Sequence, residues 1–113
     1  MNVERDRKIA VCINSIPIGN VASYGQIASL AGIKRGHRVI AMFLRTQTFE
    51  PDLPWYRVLR ADGKIAMEPD SQGFITQSKQ LAAEGVLVKS GKVDLAKYQW
   101  QPDMDFFLFH PDL

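Results

Sequence analysis

The sequence has few of the residues from which most catalytic and metal sites are built. Its 113 residues include one cysteine, Cys12, and two histidines, His37 and His110, which lie far apart in the chain. A single cysteine excludes a disulfide within the chain, which fits a reducing compartment. Two distant histidines indicate neither a metal triad nor a Ser-His-Asp set. These shortages favour a binding protein over an enzyme, with no metal and no cofactor.

Long apolar runs are also missing. The first 17 residues mix acidic and basic side chains without an apolar stretch of signal-peptide length, and no segment is long enough to span a membrane. We therefore expect a cytoplasmic protein. No glycine-rich phosphate loop or dinucleotide fingerprint is found. Cys12 falls on the apolar side of a predicted helix, so a buried, inert thiol is expected there.

What the sequence does contain is a concentration of positive charge. The whole chain has a formal net charge of +2, yet residues 34–60 hold six basic residues and two acidic ones. The six are Lys34, Arg35, Arg38, Arg45, Arg57 and Arg60. A surface that binds a polyanion needs charge of one sign, whereas an ordinary solvated surface mixes both. Residues 34–60 are therefore expected to contribute to such a surface.

The apolar pattern predicts an α+β fold that is mainly helical. A first helix is expected to run to about Ser15, because apolar residues recur there at helical spacing. They are Ile9, Cys12, Ile13 and Ile16. Another helix is predicted over residues 74–84. Residues 1–101 are expected to form one domain, followed by an apolar C-terminal tail, 102–113. That tail is expected to dock on the domain's own surface, with a partner-binding peptide as the alternative.

Residues 23–45 show the pattern of a helix-turn-helix. Ser23 and Gln26 form a capping-box pattern at the start of a short helix, 24–31, which ends at Gly32. A third helix, 35–45, is apolar on one side and basic on the other. Residues 58–66 then predict a small β-hairpin that turns at Asp-Gly and would be the wing of a winged helix-turn-helix domain. A second strand pair is predicted around Ser90-Gly91.

Four motifs occur in the order typical of one family. They are IPIGNVASYGQIASLAG, RGHRVIAMFLR, PWYRVLRADGKI and KQLAAEG, and they span about Ile16 to Tyr98. Together they resemble the DNA-binding C-terminal domain of the O6-alkylguanine-DNA alkyltransferases. That resemblance implies a winged-helix domain that binds double-stranded DNA.

The active-site motif of that family is altered here. The transferases carry Pro-Cys-His-Arg-Val, in which the cysteine thiolate accepts the alkyl group. The same positions read Pro54-Trp55-Tyr56-Arg57-Val58. Since an indole cannot act as a thiolate, no alkyl transfer is expected. Pro-Trp-x-Arg-Val is characteristic of the alkyltransferase-like proteins. The resemblance thus implies a non-catalytic protein that binds and flips O6-alkylguanine in duplex DNA and flags it for nucleotide-excision repair.

The resemblance also implies roles for individual residues. Tyr24 would press on the phosphate beside the target nucleotide. Arg38 would enter the base stack through the minor groove and fill the vacated space. The pocket for the flipped base would be lined by Pro54, Trp55, Tyr56 and Tyr24. Whether Tyr56 faces this pocket or packs behind it is left open by the sequence.

Other matching positions are expected to bind phosphates or to support the motif. Lys34, Arg35, Arg45 and Arg60 are candidates for phosphate contacts. Arg57 is expected to be structural and to hold the motif loop through backbone carbonyls or through Glu84, which matches a family glutamate. One departure is Glu68, which falls near a lid-loop position that is basic in some members.

The implied partners are double-stranded DNA containing O6-alkylguanine and nucleotide-excision-repair proteins of the UvrA type. The protein is expected to be a nucleoid-associated monomer. The alternative is a winged-helix transcription regulator that reads one sequence in the major groove and is usually dimeric. It would bind its operator irrespective of alkylation.

Overall fold

A computed structural model describes residues 3–46, 52–111 and 113. Helices account for most of the regular structure in these ranges, which confirms the mainly helical α+β fold. The elements are α1 (Val3–Asn14), β1 (Ala22–Ser23), α2 (Tyr24–Leu30), α3 (His37–Thr46), a 3-10 helix (Trp55–Arg57), β2 (Val58–Leu59), α4 (Gln72–Ala83), β3 (Val88–Lys89), β4 (Lys92–Val93), α5 (Leu95–Tyr98) and α6 (Met104–Phe109). None of these helices combines the length and apolarity needed to cross a membrane.

A first core lies between the three N-terminal helices. The predicted apolar face of α1 is confirmed, since Ile9, Cys12, Ile13 and Ile16 are all buried. Helices α2 and α3 add Ile27, Ile40 and Phe43 to this core, and Trp100 joins it from the far end of the chain. The backbone fixes that last contact, because the Trp100 amide donates to the Val21 carbonyl at 2.7 Å.

A second core lies between α4 and the strands near it. It contains Val21, Leu59, Ile65, Leu81, Val86 and Val93. The two cores meet at β1 and β2, which pair in parallel with Ala22 opposite Val58 and Ser23 opposite Leu59. Val58 belongs to the first core and Leu59 to the second. Since successive strand residues point to opposite faces, this two-residue ladder contributes to both cores.

The structure corrects the position of the predicted wing. Residues 60–64 do turn back, with the Arg60 amide donating to the Lys64 carbonyl at 3.0 Å. However, β2 pairs with β1 and not with residues 64–66. The hairpin in the described chain is β3–β4, at the second predicted position but with shorter strands. Its turn residues Ser90 and Gly91 have φ of 52° and 73°, as a two-residue type I′ turn requires.

The C-terminal segment contacts the first core through Phe106 and Leu113. Asp103 caps α6 by accepting from the Phe106 amide at 3.1 Å. Phe106 packs edge-on against Trp100, with ring centroids 5.1 Å apart. Phe107, Leu108 and Phe109 stay exposed. The division of the chain at residues 101 and 102 stays a prediction.

Candidate nucleic-acid interface

The helix pair α2–α3 begins with a side-chain cap. The Ser23 hydroxyl accepts from the Gln26 amide at 3.0 Å, so the predicted cap is present. The reciprocal half of the capping box does not form, because the Gln26 side-chain oxygen accepts from Gln99 Nε2 at 2.9 Å while its Nε2 donates to the Trp100 carbonyl at 2.9 Å. Gln26 therefore ties the start of α2 to the C-terminal part of the first core.

A close approach in the turn fixes α3 against α2. Gly36 is buried just before α3, and a Cβ at this position would collide with the Ile33 side chain and lie 3.0 Å from the Ala28 Cβ. The chain enters this turn through Gly32, whose φ of 77° is in the left-handed region that glycine tolerates. Glycine at position 36 thus permits the tight packing that aims the outer face of α3.

The outer face of α3 presents basic residues, while Ile40 and Phe43 are buried. Arg38 and Arg45 are exposed on the helix, and Lys34 and Arg35 are exposed in the turn before it. Among the described residues, none of these four cations is held in an ion pair. Their positive charges are therefore available to a ligand.

Tyr24 lies at the start of α2, half-buried against the first core. Burial raises the pKa of its hydroxyl, and the positive charge of Arg45 offsets part of that rise. The positive charge of Arg45 thus acts on the Tyr24 hydroxyl, and the sequence assigned both residues to phosphates.

The Pro-Trp-Tyr-Arg-Val motif forms a turn of 3-10 helix that leads into β2. Pro54 is buried, whereas Trp55 and Tyr56 are each half-buried. Their rings meet edge to face, with centroids 5.9 Å apart and planes at 82°. Because a 3-10 helix turns by about a third of a revolution per residue, the two adjacent rings can stand side by side.

A buried ion pair holds this turn in place. The Arg57 guanidinium donates to the Glu84 carboxylate from Nε at 2.9 Å and from Nη2 at 2.6 Å. Its Nη1 donates to the Ile16 carbonyl at 2.9 Å, and the Gly19 amide donates to Glu84 at 3.2 Å. Both charged side chains are about nine-tenths buried. Arg57 and Glu84 therefore connect the motif to the end of α4 and to the turn after α1.

The same contacts determine the charge of Glu84. Burial raises the pKa of its carboxyl, but the hydrogen bonds from Arg57, Tyr56 and Gly19 outweigh burial and lower the pKa below its ordinary value. The carboxylate is thus ionised at neutral pH and accepts all of these hydrogen bonds at once.

Tyr56 is oriented towards this ion pair. Its hydroxyl donates to Glu84 Oε2 at 2.8 Å, and its ring packs against the second core. Burial and the hydrogen bond to Glu84 both raise the pKa of the phenol, so it keeps its proton at neutral pH. The polar end of Tyr56 is thus directed to the ion pair, while its ring meets the Trp55 ring at nearly a right angle.

Sequence reasoning missed one residue of this site. Gln77 is 2% exposed, and its side-chain amide donates to the Tyr56 carbonyl at 3.0 Å and to the Val58 carbonyl at 3.1 Å. It therefore fixes the backbone on both sides of Arg57. The signal was its spacing, since Gln77, Leu81 and Glu84 fall at i, i+4 and i+7 on the inward face of α4.

Other assigned residues lie apart from the motif turn. Arg60 is exposed and pairs with Asp62 at 3.6 Å. Glu68 and Pro69 line a groove of about 920 Å³ between residues 64–70, α4 and the β3–β4 hairpin, and Trp55 is not part of its lining. Cys12 is fully buried in the first core, where burial raises the pKa of its thiol to about 11.

Comparisons with known proteins agree with this geometry. A family model described as the DNA-binding domain of 6-O-methylguanine DNA methyltransferase matches residues 4–86. A Vibrio parahaemolyticus protein named DNA base-flipping protein is 38% identical over 96 residues, which cover 84% of this chain and 94% of its own. Alkyltransferase-like protein 1 of Schizosaccharomyces pombe is 33% identical over 98 residues, covering 82% of this chain and 89% of its own. The crystal structure of S. pombe Atl1 in complex with damaged DNA containing O6-carboxymethylguanine matches with a TM-score of 0.81 and 30% identity, over 90% of this chain and 100% of that one.

Proposed function

The chain belongs to the family of the 6-O-methylguanine DNA methyltransferase DNA-binding domain, and from this membership we propose that it recognises O6-alkylguanine in duplex DNA without repairing it. It is similar to proteins named for base flipping and to a protein solved with damaged DNA. In this proposal the damaged nucleotide is rotated out of the stack, held in a pocket beside Trp55 and left chemically intact for nucleotide-excision repair.

The observation that carries the proposal is the residue at the nucleophile position. By the resemblance of the motifs, Trp55 corresponds to the acceptor cysteine of the transferases, and it lies on a turn fixed by Arg57, Glu84 and Gln77. An indole has no nucleophilic thiolate, but its ring can pack against a base and its alkyl group. Cys12 offers no substitute, because its thiol is buried among α1 side chains and stays protonated at neutral pH. Binding without reaction is the outcome expected from this site.

The surface beside the motif suits nucleotide flipping. The O6 atom is stacked within the duplex, and extrusion of the nucleotide costs a few kcal/mol unless the lost stacking is replaced. Arg38 is exposed, unpaired among the described residues and planar at its guanidinium, so it can fill the vacated space. Tyr24 is held by the first core and can press on the adjacent phosphate, while Arg45 supplies positive charge beside it.

The aromatic residues of the proposed pocket have different roles. In this proposal half-buried Trp55 packs against the flipped base, and Pro54 and Tyr24 complete the pocket. Tyr56 contributes its ring alone, because its hydroxyl is bonded to Glu84. Lys34, Arg35 and Arg60 add phosphate contacts around the site.

The proposed link to excision repair follows from the missing chemistry. A protein that holds O6-alkylguanine without removing the alkyl group leaves the lesion in the DNA. Another enzyme system must then remove the damaged strand. We assign this step to nucleotide-excision repair, with a protein of the UvrA type as the contact.

One titration tests the proposal. The protein is titrated with two matched duplexes that differ only in guanine or O6-methylguanine at the central position, and the DNA is then recovered and analysed. The expected result is tighter binding of the methylated duplex, with its methyl group still present afterwards. Equal affinity for the two duplexes, or tight binding to one sequence irrespective of methylation, would sink the proposal.

Two arginines of the same helix provide a matched pair of variants. Arg38→Ala is expected to remove the preference for the methylated duplex, because no guanidinium then fills the space that the flipped nucleotide leaves in the base stack. Arg45→Ala is expected to weaken binding to both duplexes equally and to lower the salt dependence by about one phosphate contact. An unchanged preference in Arg38→Ala, with the fold intact by circular dichroism, would remove Arg38 from its assigned role.

A further inference from the structure

Three lysines form a row across the exposed face of the β3–β4 hairpin. Lys89 of β3 is directly opposite Lys92 of β4, and Lys64 forms an antiparallel bridge with Lys92 on the other side. Residues paired in this way project to the same face. All three side chains are exposed, and we call this row the lysine ladder.

The opposite face of the same strands is apolar and anchored. Ile65 and Val93 are buried in the second core, and Val88 packs against it. The backbone is held by hydrogen bonds from Ile65 to the Gly91 carbonyl and from Val93 to the Gly63 carbonyl, each 2.9 Å long. The lysine ladder therefore projects from a fixed backbone.

This arrangement is unfavourable for the isolated protein. Like charges directly opposite each other destabilise a sheet. Among the described residues, no acidic side chain forms an ion pair with any lysine of the ladder. Asp94, next to these strands, caps α5 by accepting from the Ala96 amide at 3.1 Å. Asp62 pairs with Arg60 at 3.6 Å and accepts from the Lys64 backbone amide at 3.1 Å, so its charge offsets only the Lys64 end of the row. The repulsion is relieved when an anion binds across the row.

The spacing of the ladder suits a nucleic-acid strand. Neighbouring strands of a sheet lie about 4.8 Å apart, so the row extends over roughly 10 Å. One strand of a duplex carries a phosphate about every 3.4 Å along the helix axis, and flexible lysine stems can adjust to that spacing. The ladder begins next to the end of the basic region 34–60, since the Arg60 amide donates to the Lys64 carbonyl at 3.0 Å.

We propose that the lysine ladder, Lys64, Lys92 and Lys89, is a second DNA contact that binds the phosphates of duplex flanking the lesion. It rests on the proposed function only in requiring DNA as the ligand. The contact is independent of sequence and alkylation, so it contributes affinity and leaves lesion preference to Arg38 and Trp55.

The test measures how the DNA-binding constant K of wild type and variant depends on salt. The ligand is an unmodified duplex of about 25 base pairs, long enough to reach both the α2–α3 surface and the lysine ladder. The variant carries Lys64→Gln, Lys89→Gln and Lys92→Gln. Each lost phosphate contact lowers the slope of log K against log salt by about 0.9, so a decrease of about 2 to 3 is expected. The fold is expected to survive, because removing opposed like charges does not destabilise the hairpin. A triple Lys→Arg variant at the same positions is expected to keep the slope.

A second control separates the ladder from net charge. Lys8→Gln combined with Lys79→Gln removes two positive charges from α1 and α4 and is expected to leave the slope within about one contact of wild type. An unchanged slope in the ladder variant overturns the proposal, as does an equal decrease in the control. The proposal is also overturned if the ladder variant loses binding to an acidic protein while its DNA slope is unchanged, because the ladder would then belong to a protein partner. A wild-type protein without lesion preference would refute the proposed function, yet the slopes would still decide the role of the ladder.

Discussion

Replacing Glu84 with glutamine tests whether the ion pair behind the motif turn holds this part of the fold together. Glutamine keeps the shape of the side chain but removes its charge and directs an amide group towards Arg57. The Arg57 guanidinium, about 10% exposed, then loses its paired carboxylate and keeps two neutral acceptors, the Ile16 carbonyl at 2.9 Å and the Tyr56 hydroxyl at 3.5 Å. Leaving one partner of a buried ion pair uncompensated costs about 3–5 kcal/mol.

This cost is large for a domain of 113 residues. With an unfolding entropy of about 2.1 cal/mol/K per residue, the loss lowers Tm by roughly 12–20 °C. Chemical denaturation at pH 7 measures the free energy directly. Glu68→Gln, which removes an exposed carboxylate, is the matched control and is expected to stay within about 0.5 kcal/mol of wild type.

Tyr56→Phe removes one hydrogen bond to the Glu84 carboxylate and is expected to cost about 1.5–3 kcal/mol.

The pH dependence gives this prediction a second, independent test. The folded-state pKa of Glu84 lies below the ordinary value of 4.5, so its stabilising effect is fully present above pH 4.5. That contribution disappears as pH falls through the lowered folded-state pKa, because the carboxylate must then take up a proton. The stability difference between wild type and Glu84→Gln therefore narrows only below pH 4.5. The reasoning would be refuted if the unfolding free energies of wild type and Glu84→Gln differed by less than about 1 kcal/mol at pH 7, since a broken buried pair is expected to cost about 3–5 kcal/mol. It would also be refuted if this difference in unfolding free energy were equal at pH 7 and pH 3.

Three further outcomes are expected. Cys12 is buried and the pKa of its thiol is raised to about 11, so a disulfide reagent at pH 8 should label it only after unfolding; rapid labelling of the native protein would contradict its burial. Gly63→Ala should cost about 1–3 kcal/mol, since φ is +86° and the new Cβ meets the Val93 carbonyl. Gly25→Ala has nothing within 4 Å and lies in α2, so it should stabilise the protein by about 0.4–1 kcal/mol in the same denaturation assay. Trp55→Cys should not transfer a methyl group from O6-methylguanine DNA, because Tyr56 keeps its proton, and methylated protein detected by mass spectrometry would show otherwise.

Local sequence signals predicted the helical half of the fold well. The α1 stripe and the Ser23 cap are confirmed because both depend on residues within one or two helical turns of each other. The wing at 58–66 was misplaced because Val58 pairs in parallel with Ala22, 36 positions earlier, and no local periodicity reports such a pairing. Strands of two residues are too short to show alternation.

In the candidate site, too, some contacts could be predicted from the sequence and others depend on packing between distant segments. Resemblance pointed to the Arg57–Glu84 connection, but the direction of the Tyr56 hydroxyl depends on packing against the second core. The lysine ladder was not predicted, because Lys64 and Lys92 are far apart in the sequence and meet through a single bridge. Charge counted along the chain finds a basic segment but not a basic row assembled from separate strands.

The position of Trp100 has a consequence for the order of events during synthesis. The three helices that carry Tyr24 and Arg38 belong to a core that also requires Trp100, and Gln26 bonds to its carbonyl. When these helices leave the ribosome, the side chain that covers their core has not yet been made. The core of the N-terminal helices therefore stays incompletely packed until residues 47–100 have been translated. Only then can the surface proposed to meet DNA take its final shape.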